Sequence, residues 1–308
     1  MCFLFVMMFL VGSFGVTYSA INDTPPPSPD SGLMFDDFSY VASDDPQLAA
    51  HGWVVRAGDG WPGIPGAEWR ADNVTFVPDP DDPANTLLVM TSTTDGTTTT
   101  QTQLCHQRKY FEGTFAARVR FSDAPITGPD GDQVVQTLYL ISPQAFPMDP
   151  DYSELDFEYL PNGGWGTAGS VLHATTWETF QLDPWIADNQ TGSLSGSWEG
   201  WHTLYVNIVD GTATYYVDGL LLAQHGGAFY PEVPMSLNFN LWFIQGGQIA
   251  SREARAYVQQ IDWVLARPDV LLTLGEVEGL VEAFRRAEVI FRDTVPPWNP
   301  PLETPCNF

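Results

Sequence analysis

Three carboxylates at alternate positions, Glu154, Asp156 and Glu158, stand in the segment SELDFEY. In an extended chain, positions i, i+2 and i+4 share one face, so the three acids point one way and Leu155 and Phe157 the other. The outer α-carbons are then roughly 13 Å apart at ~3.3 Å per residue, and side chains leaning inward bring the two glutamate carboxyls to roughly 6 Å. That approaches the ~5–5.5 Å used when one carboxylate attacks an acetal carbon while a second, protonated carboxyl donates to the leaving oxygen. It falls short of the wider gap that admits an attacking water between the two acids. Three carboxyls this close cannot all ionise freely, so at least one holds its proton near neutrality. This chemistry needs such a division of protonation, and the central acid can hydrogen-bond the attacking one.

The bare spacing is a weak signal, because a chain with 38 acids in 308 residues can produce it by chance. A solvated strand face and a calcium site with Asp149 and Asp151 are the alternatives. The helix–loop–helix calcium pattern fails, since Glu154 stands where glycine is required. Like charges crowded on one strand face are destabilising, which favours a chemical role. The aromatic residues add a second argument. Many of the 11 tryptophans lie in polar or glycine-rich surroundings, among them Trp165 in PNGGWG and Trp177 in HATTWETF. Flat indoles pack on the C–H faces of sugar rings, whose hydroxyls take amide and carboxyl partners. Asn240 and Trp242 share a strand face, Tyr152 is expected on the face of the three acids, and His173 could line the same cleft.

These residues need strands to place them, and the chain supplies many. Alternating or β-branched runs occur at 114–121 (TFAARVRF), 133–141, 153–159, 170–177, 203–209, 212–217, 220–223, 235–243 and 256–266. Asp218-Gly219 is a hairpin turn signal. The expected fold class is all-β, a sandwich of short strands. Residues 97–100 read as a Thr-rich edge or loop. Only the C-terminal part looks helical: Thr273 and Glu276 have capping-box spacing, and Val277, Leu280, Val281, Phe284 and Phe291 fall on one stripe. Early glutamates and late arginines, through Arg292, complement the helix dipole. That helix is expected to dock on the sandwich, with an irregular tail over 296–305.

Composition bounds the partners. Twelve Lys and Arg against 38 Asp and Glu give a net charge of −26. Such a chain repels phosphate backbones and anionic membrane surfaces, so nucleic acid and membrane are not expected partners. A neutral polysaccharide is indifferent to this charge, and a monomer is expected. The first stretch, CFLFVMMFLVGSFGV, has the length of a secretory apolar region and a small-residue exit, though no basic residue precedes Arg56. The expected organisation is a signal peptide over 1–20, a Pro-rich linker over 21–32, a catalytic domain over 33–268 and an extension over 269–308, in a secreted, extracellular protein. Cys105 and Cys306, which survive removal of the leader, either pair in an oxidising compartment or stand as unrelated thiols. No cysteine–histidine spacing gives a zinc site.

With its flanks, SELDFEY resembles the active-site strand of glycoside hydrolase family 16, whose pattern is Glu-x-Asp-x-Glu. FEGTFAARVRF, WHTLYVNIVDGTATYYVDG, MSLNFNLWF and AYVQQIDWVLARP resemble other strands of that family in the same order, over roughly 35–268. The resemblance implies a concanavalin A-like β-jelly roll of two curved antiparallel sheets with a groove on the concave side. It implies an endo-acting, retaining β-glucan hydrolase with Glu154 as nucleophile, Glu158 as general acid/base and Asp156 assisting. It implies no catalytic cofactor, and allows a structural calcium. Tyr152 stands where relatives often have a sugar-stacking Trp. The unbulged pattern looks more like the licheninase and xyloglucan branches than the laminarinases and agarases. A transglycosylase on the same fold and a non-catalytic lectin are the alternatives. A polysaccharide lyase would favour basic residues that this chain lacks.

Overall fold

The computed structural model describes residues 32–304 and 306. The expected leader and all but the last residue of the expected linker lie outside them. Two antiparallel sheets enclose one apolar interior. The groove-bearing sheet runs, in spatial order, Trp53–Val55, Thr99–His106, Ser236–Phe243, Val134–Ile141, Glu154–Leu160, Val171–Leu182 and Trp185–Ser195. The second runs Leu220–Gly226, Thr212–Val217, Gly200–Val209, Gly113–Phe121, Arg255–Pro268, Thr86–Thr94 and Val74–Pro78. Met34–Asp36 pairs with the far end of Arg255–Pro268. The chain crosses between sheets at Thr93 and Thr94, which pair with Thr100 and Thr99. This is the expected jelly roll with a C-terminal helix.

Alternation sets which side chains meet. Leu155, Phe157 and Tyr159 of the acidic strand join Leu138, Leu140, Leu172 and Ala174 of its neighbours in the core between the sheets. Their alternates face outward, away from the core. The turn Asp218-Gly219 has both residues at positive φ, 50° and 78°, the geometry that matches the twist of a two-residue hairpin. Trp185–Ser195 escapes the apolar pattern because it is an exposed, polar edge strand paired on one side only, to Val171–Leu182. The Thr-rich segment expected as an edge or loop enters the strand Thr99–His106.

The C-terminal helix, Leu274–Arg286, has its capping box at Thr273 and Glu276 and buries Val277, Val281 and Phe284. Phe284 stacks on Phe35 at 4.8 Å, and the helix covers Tyr205, Trp263 and Leu265 on the outer face of the second sheet. Phe291 and Arg292 do not continue the helix. The chain turns at Glu288 (φ 53°), and Phe291–Asp293 pairs with Met34–Asp36 as a strand. The extension over 269–308 is therefore built into the sandwich at its start and, through a Cys105–Cys306 disulfide with α-carbons 5.7 Å apart, at its end. Among the described residues no helix is long and apolar enough to cross a membrane.

Candidate active site

Glu154, Asp156 and Glu158 all project from one strand into a single groove of about 580 Å³. Cross-strand register builds its floor. Glu154 lies between Ile141 and Trp177, Asp156 between Tyr139 and Thr175, and Glu158 between Thr137 and His173. One strand further out, Asn189, Thr191 and Ser193 continue these rows. On the other side, Asn240 meets Thr137, whose hydroxyl donates to the Asn240 Oδ1 at 2.7 Å.

The three carboxyls differ in what they touch. Tyr152 donates its hydroxyl to the Glu154 Oε2 at 2.5 Å. The Asp156 carboxyl is also hydrogen-bonded to Glu154, while the Trp177 indole N–H donates to the Asp156 Oδ2 at 2.9 Å. Glu158 has a hydrogen bond with Thr175. Burial raises all three pKa values by penalising the charged form. Glu154 is pushed up to about 7, restrained by its bonds to Tyr152 and Asp156. Glu158 is pushed up to about 8 by burial and then by the Glu154 charge, with Thr175 pulling back. Asp156, 5% exposed, is raised well above the carboxylate range by burial and then by the charges on both sides. Asp156 in its protonated form donates to Glu154, which favours the charged form of Glu154.

Two aromatic groups flank this row. At the Glu158 end, Trp165 lies 6.1 Å from Trp242 and 6.4 Å from the His173 ring. Trp165 is 54% exposed and is presented by a glycine turn: a Cβ on Gly163 would meet the Thr167 carbonyl oxygen at 2.2 Å. The His173 Nδ1 sits 2.7 Å from the Ser193 hydroxyl, and burial lowers its pKa, which keeps the ring neutral. At the Glu154 end, Trp177, Phe180, Trp185 and Trp61 gather, with Trp61 stacked on Phe180 at 5.6 Å.

Eight of the nine residues singled out in the sequence line this groove: Glu154, Asp156, Glu158, Trp165, His173, Trp177, Asn240 and Trp242. Tyr152 does not. It is 1% exposed, packed with Tyr139, Ile141 and Phe180, and has no surface to offer a sugar. It lies on the expected face, since its neighbours Tyr139, Ile141 and Phe180 line the groove, but is buried under that lining, where its hydroxyl donates to the Glu154 carboxylate. Thr175 and Tyr139 were implicit in the strand period. Trp61 and Phe180 carried no sequence signal, since only the tertiary fold brings them to the acids. Among the described residues no three carboxylate, histidine or cysteine side chains gather into a metal-holding group, so no such donor set for the allowed calcium is found there.

A two-sheet jelly roll with three acids on one outward strand face has the fold of glycoside hydrolase family 16, and solved structures of that kind are similar over most of their length. A Bacillus licheniformis β-glucanase matches at 14% identity and a TM-score of 0.56, covering 76% of this chain and 97% of that one. A Bacteroides ovatus mixed-linkage glucan enzyme of family 16, bound to a product, matches at 13% and 0.58, covering 75% and 99%. LamAcat from Zobellia galactanivorans matches at 15% and 0.55, covering 77% and 97%. No family model and no curated protein matches the sequence.

Proposed function

We propose that this protein hydrolyses a neutral β-glucan by double displacement, with retention at the anomeric carbon. The observation that carries this reading is the placement of three acids, each with different hydrogen-bond partners, on one strand face within a groove. Burial raises both glutamates; the Tyr152 and Asp156 donors favour the charged form of Glu154, and the Glu154 charge favours the protonated form of Glu158. Glu154 attacks the anomeric carbon as the glycosidic bond breaks, and Glu158 protonates the departing oxygen. Asp156 keeps its proton and steadies Glu154 through their hydrogen bond. Glu158, now a base, takes a proton from water, which attacks the glycosyl-enzyme ester and frees Glu154.

The groove offers indole faces and amides and no lysine or arginine, which fits an uncharged chain. The structures it resembles include one with a mixed-linkage glucan product and one with laminari-oligosaccharides. A disulfide accords with the oxidising environment of an exported protein. The test is a mass-spectrometric trap. Incubation with an activated 2-fluoro-β-glucoside oligosaccharide adds one glycosyl unit at Glu154, and the purified protein shortens mixed-linkage glucan, laminarin or xyloglucan. No adduct, together with unchanged polymers, overturns the reading. A stable complex without cleavage would instead mark a lectin.

A further inference from the structure

The floor of the groove does not run the full width of its sheet. Gln101 and Gln103 of Thr99–His106, and Asn238 of Ser236–Phe243, alternate with the core residues Leu104, Leu237 and Phe239, so they face the groove side. All three are 0% exposed. The segment 56–63 lies over the two glutamines. Arg56, itself 1% exposed, donates to the Gln103 Oε1 at 2.8 Å and to the Trp61 carbonyl at 2.9 Å. Its guanidinium sits 4.2 Å over Trp69. Gln101 donates to the Pro62 carbonyl at 3.1 Å. Two positions beyond Gln103, outward-facing Cys105 is bonded to Cys306, which brings the end of the chain onto the same face.

The result is a wall that starts with Pro62 and Gly63 at Gln101 and from which Trp61 reaches across to stack on Phe180 at 5.6 Å; all three line the groove. At the opposite side the floor runs out over Asn189 and Thr191 to the exposed edge strand Trp185–Ser195. Resting on the hydrolase reading above, we propose that the groove is blind at one end, so the polymer is cut at a fixed short distance from one chain end. It is an alternative to the endo-acting mode expected from the sequence. Strands lie ~4.8 Å apart, so the covered strand is about 14 Å of backbone from the acidic strand, and Gln103 spans part of that by donating to the Tyr139 hydroxyl at 2.8 Å, which leaves room for a short oligosaccharide at most. A continuing polymer would have to displace the Arg56–Gln103 and Gln101–Pro62 bonds.

The experiment follows mixed-linkage β-glucan for reducing ends and viscosity together, and sizes products from an end-labelled oligosaccharide series. The expected result is a narrow product size from the earliest times. Reducing ends should appear several-fold ahead of viscosity loss, relative to an endo-acting β-glucanase. Early long fragments with a rapid fall in viscosity overturn the blind groove while leaving the hydrolase reading intact. No cleavage and no labelling of Glu154 overturn both. The double variant Trp61→Gly, Pro62→Gly, confirmed as folded by its melting transition, should lengthen and broaden the products. An unchanged product size in that variant removes the wall from the explanation.

Discussion

The two ends of the acidic strand carry the same side chain and treat it differently. Glu154 has hydrogen bonds with Tyr152 and Asp156 and sits among closely packed aromatic rings. Glu158 has a hydrogen bond with Thr175 alone and faces the more open side held by Trp165 and His173. Burial is common to both; the Tyr152 and Asp156 donors then favour the charged form of Glu154, and the Glu154 charge favours the protonated form of Glu158. Hydrogen bonds to a charged form favour that form, which makes Glu154 the attacking group and leaves Glu158 the acid. Roles that look interchangeable in the pattern Glu-x-Asp-x-Glu become distinct through neighbours outside the pattern.

Removing the attacking carboxylate should have the largest effect. Glu154→Gln is expected to lower kcat by ~10⁴-fold or more on polymer and aryl glycosides alike, measured by reducing-end release. Glu158→Gln should cost ~10²–10⁴-fold on polymer, and much less on a dinitrophenyl glycoside whose leaving group needs no proton. The folded state holds this proton above the ordinary glutamate range, so its contribution to stability is lost as pH rises through about 8. Glu158→Gln should therefore also raise the melting temperature, more so at pH 9 than at pH 6.

Tyr152→Phe removes a donor to a charged group, worth ~1.5–3 kcal/mol, and should lower kcat by ~10–100-fold with KM little changed. The wild-type pH–rate profile should be bell-shaped, rising through about 7 as Glu154 ionises and falling through about 8 as Glu158 ionises. Without the tyrosine hydroxyl the acid limb should move to higher pH and the bell should narrow. An unmoved acid limb would erase the contrast between the two ends. Trp177→Phe, which keeps a ring but loses the N–H to Asp156, should cost ~5-fold, with a smaller movement of the same limb.

Much of this site was legible because a strand's period is short and local. Glu154, Asp156 and Glu158 needed only alternation, and His173 and Trp177 fell on one face of the next strand for the same reason. Tyr152 shows where that logic ends: the face is as expected, but Tyr139, Ile141 and Phe180 pack around the ring and leave it 1% exposed. Phe291 fits the helical stripe by spacing, but the helix stops at Arg286 and a strand pairing takes over. The Trp61 wall depends on Arg56 meeting Gln103, 47 positions away, and on Trp61 meeting Phe180, contacts that no local pattern encodes.

The docked helix and the strand after it have a practical consequence for anyone producing this protein. A gene stopped after Pro268 would look like a complete domain by its motifs. It would nevertheless strip the cover from Phe35, Tyr205, Trp263 and Leu265 and leave a sticky flank opposite the groove. Such a shortened version should collect in inclusion bodies while the full chain stays in the supernatant, a comparison readable from soluble yield alone.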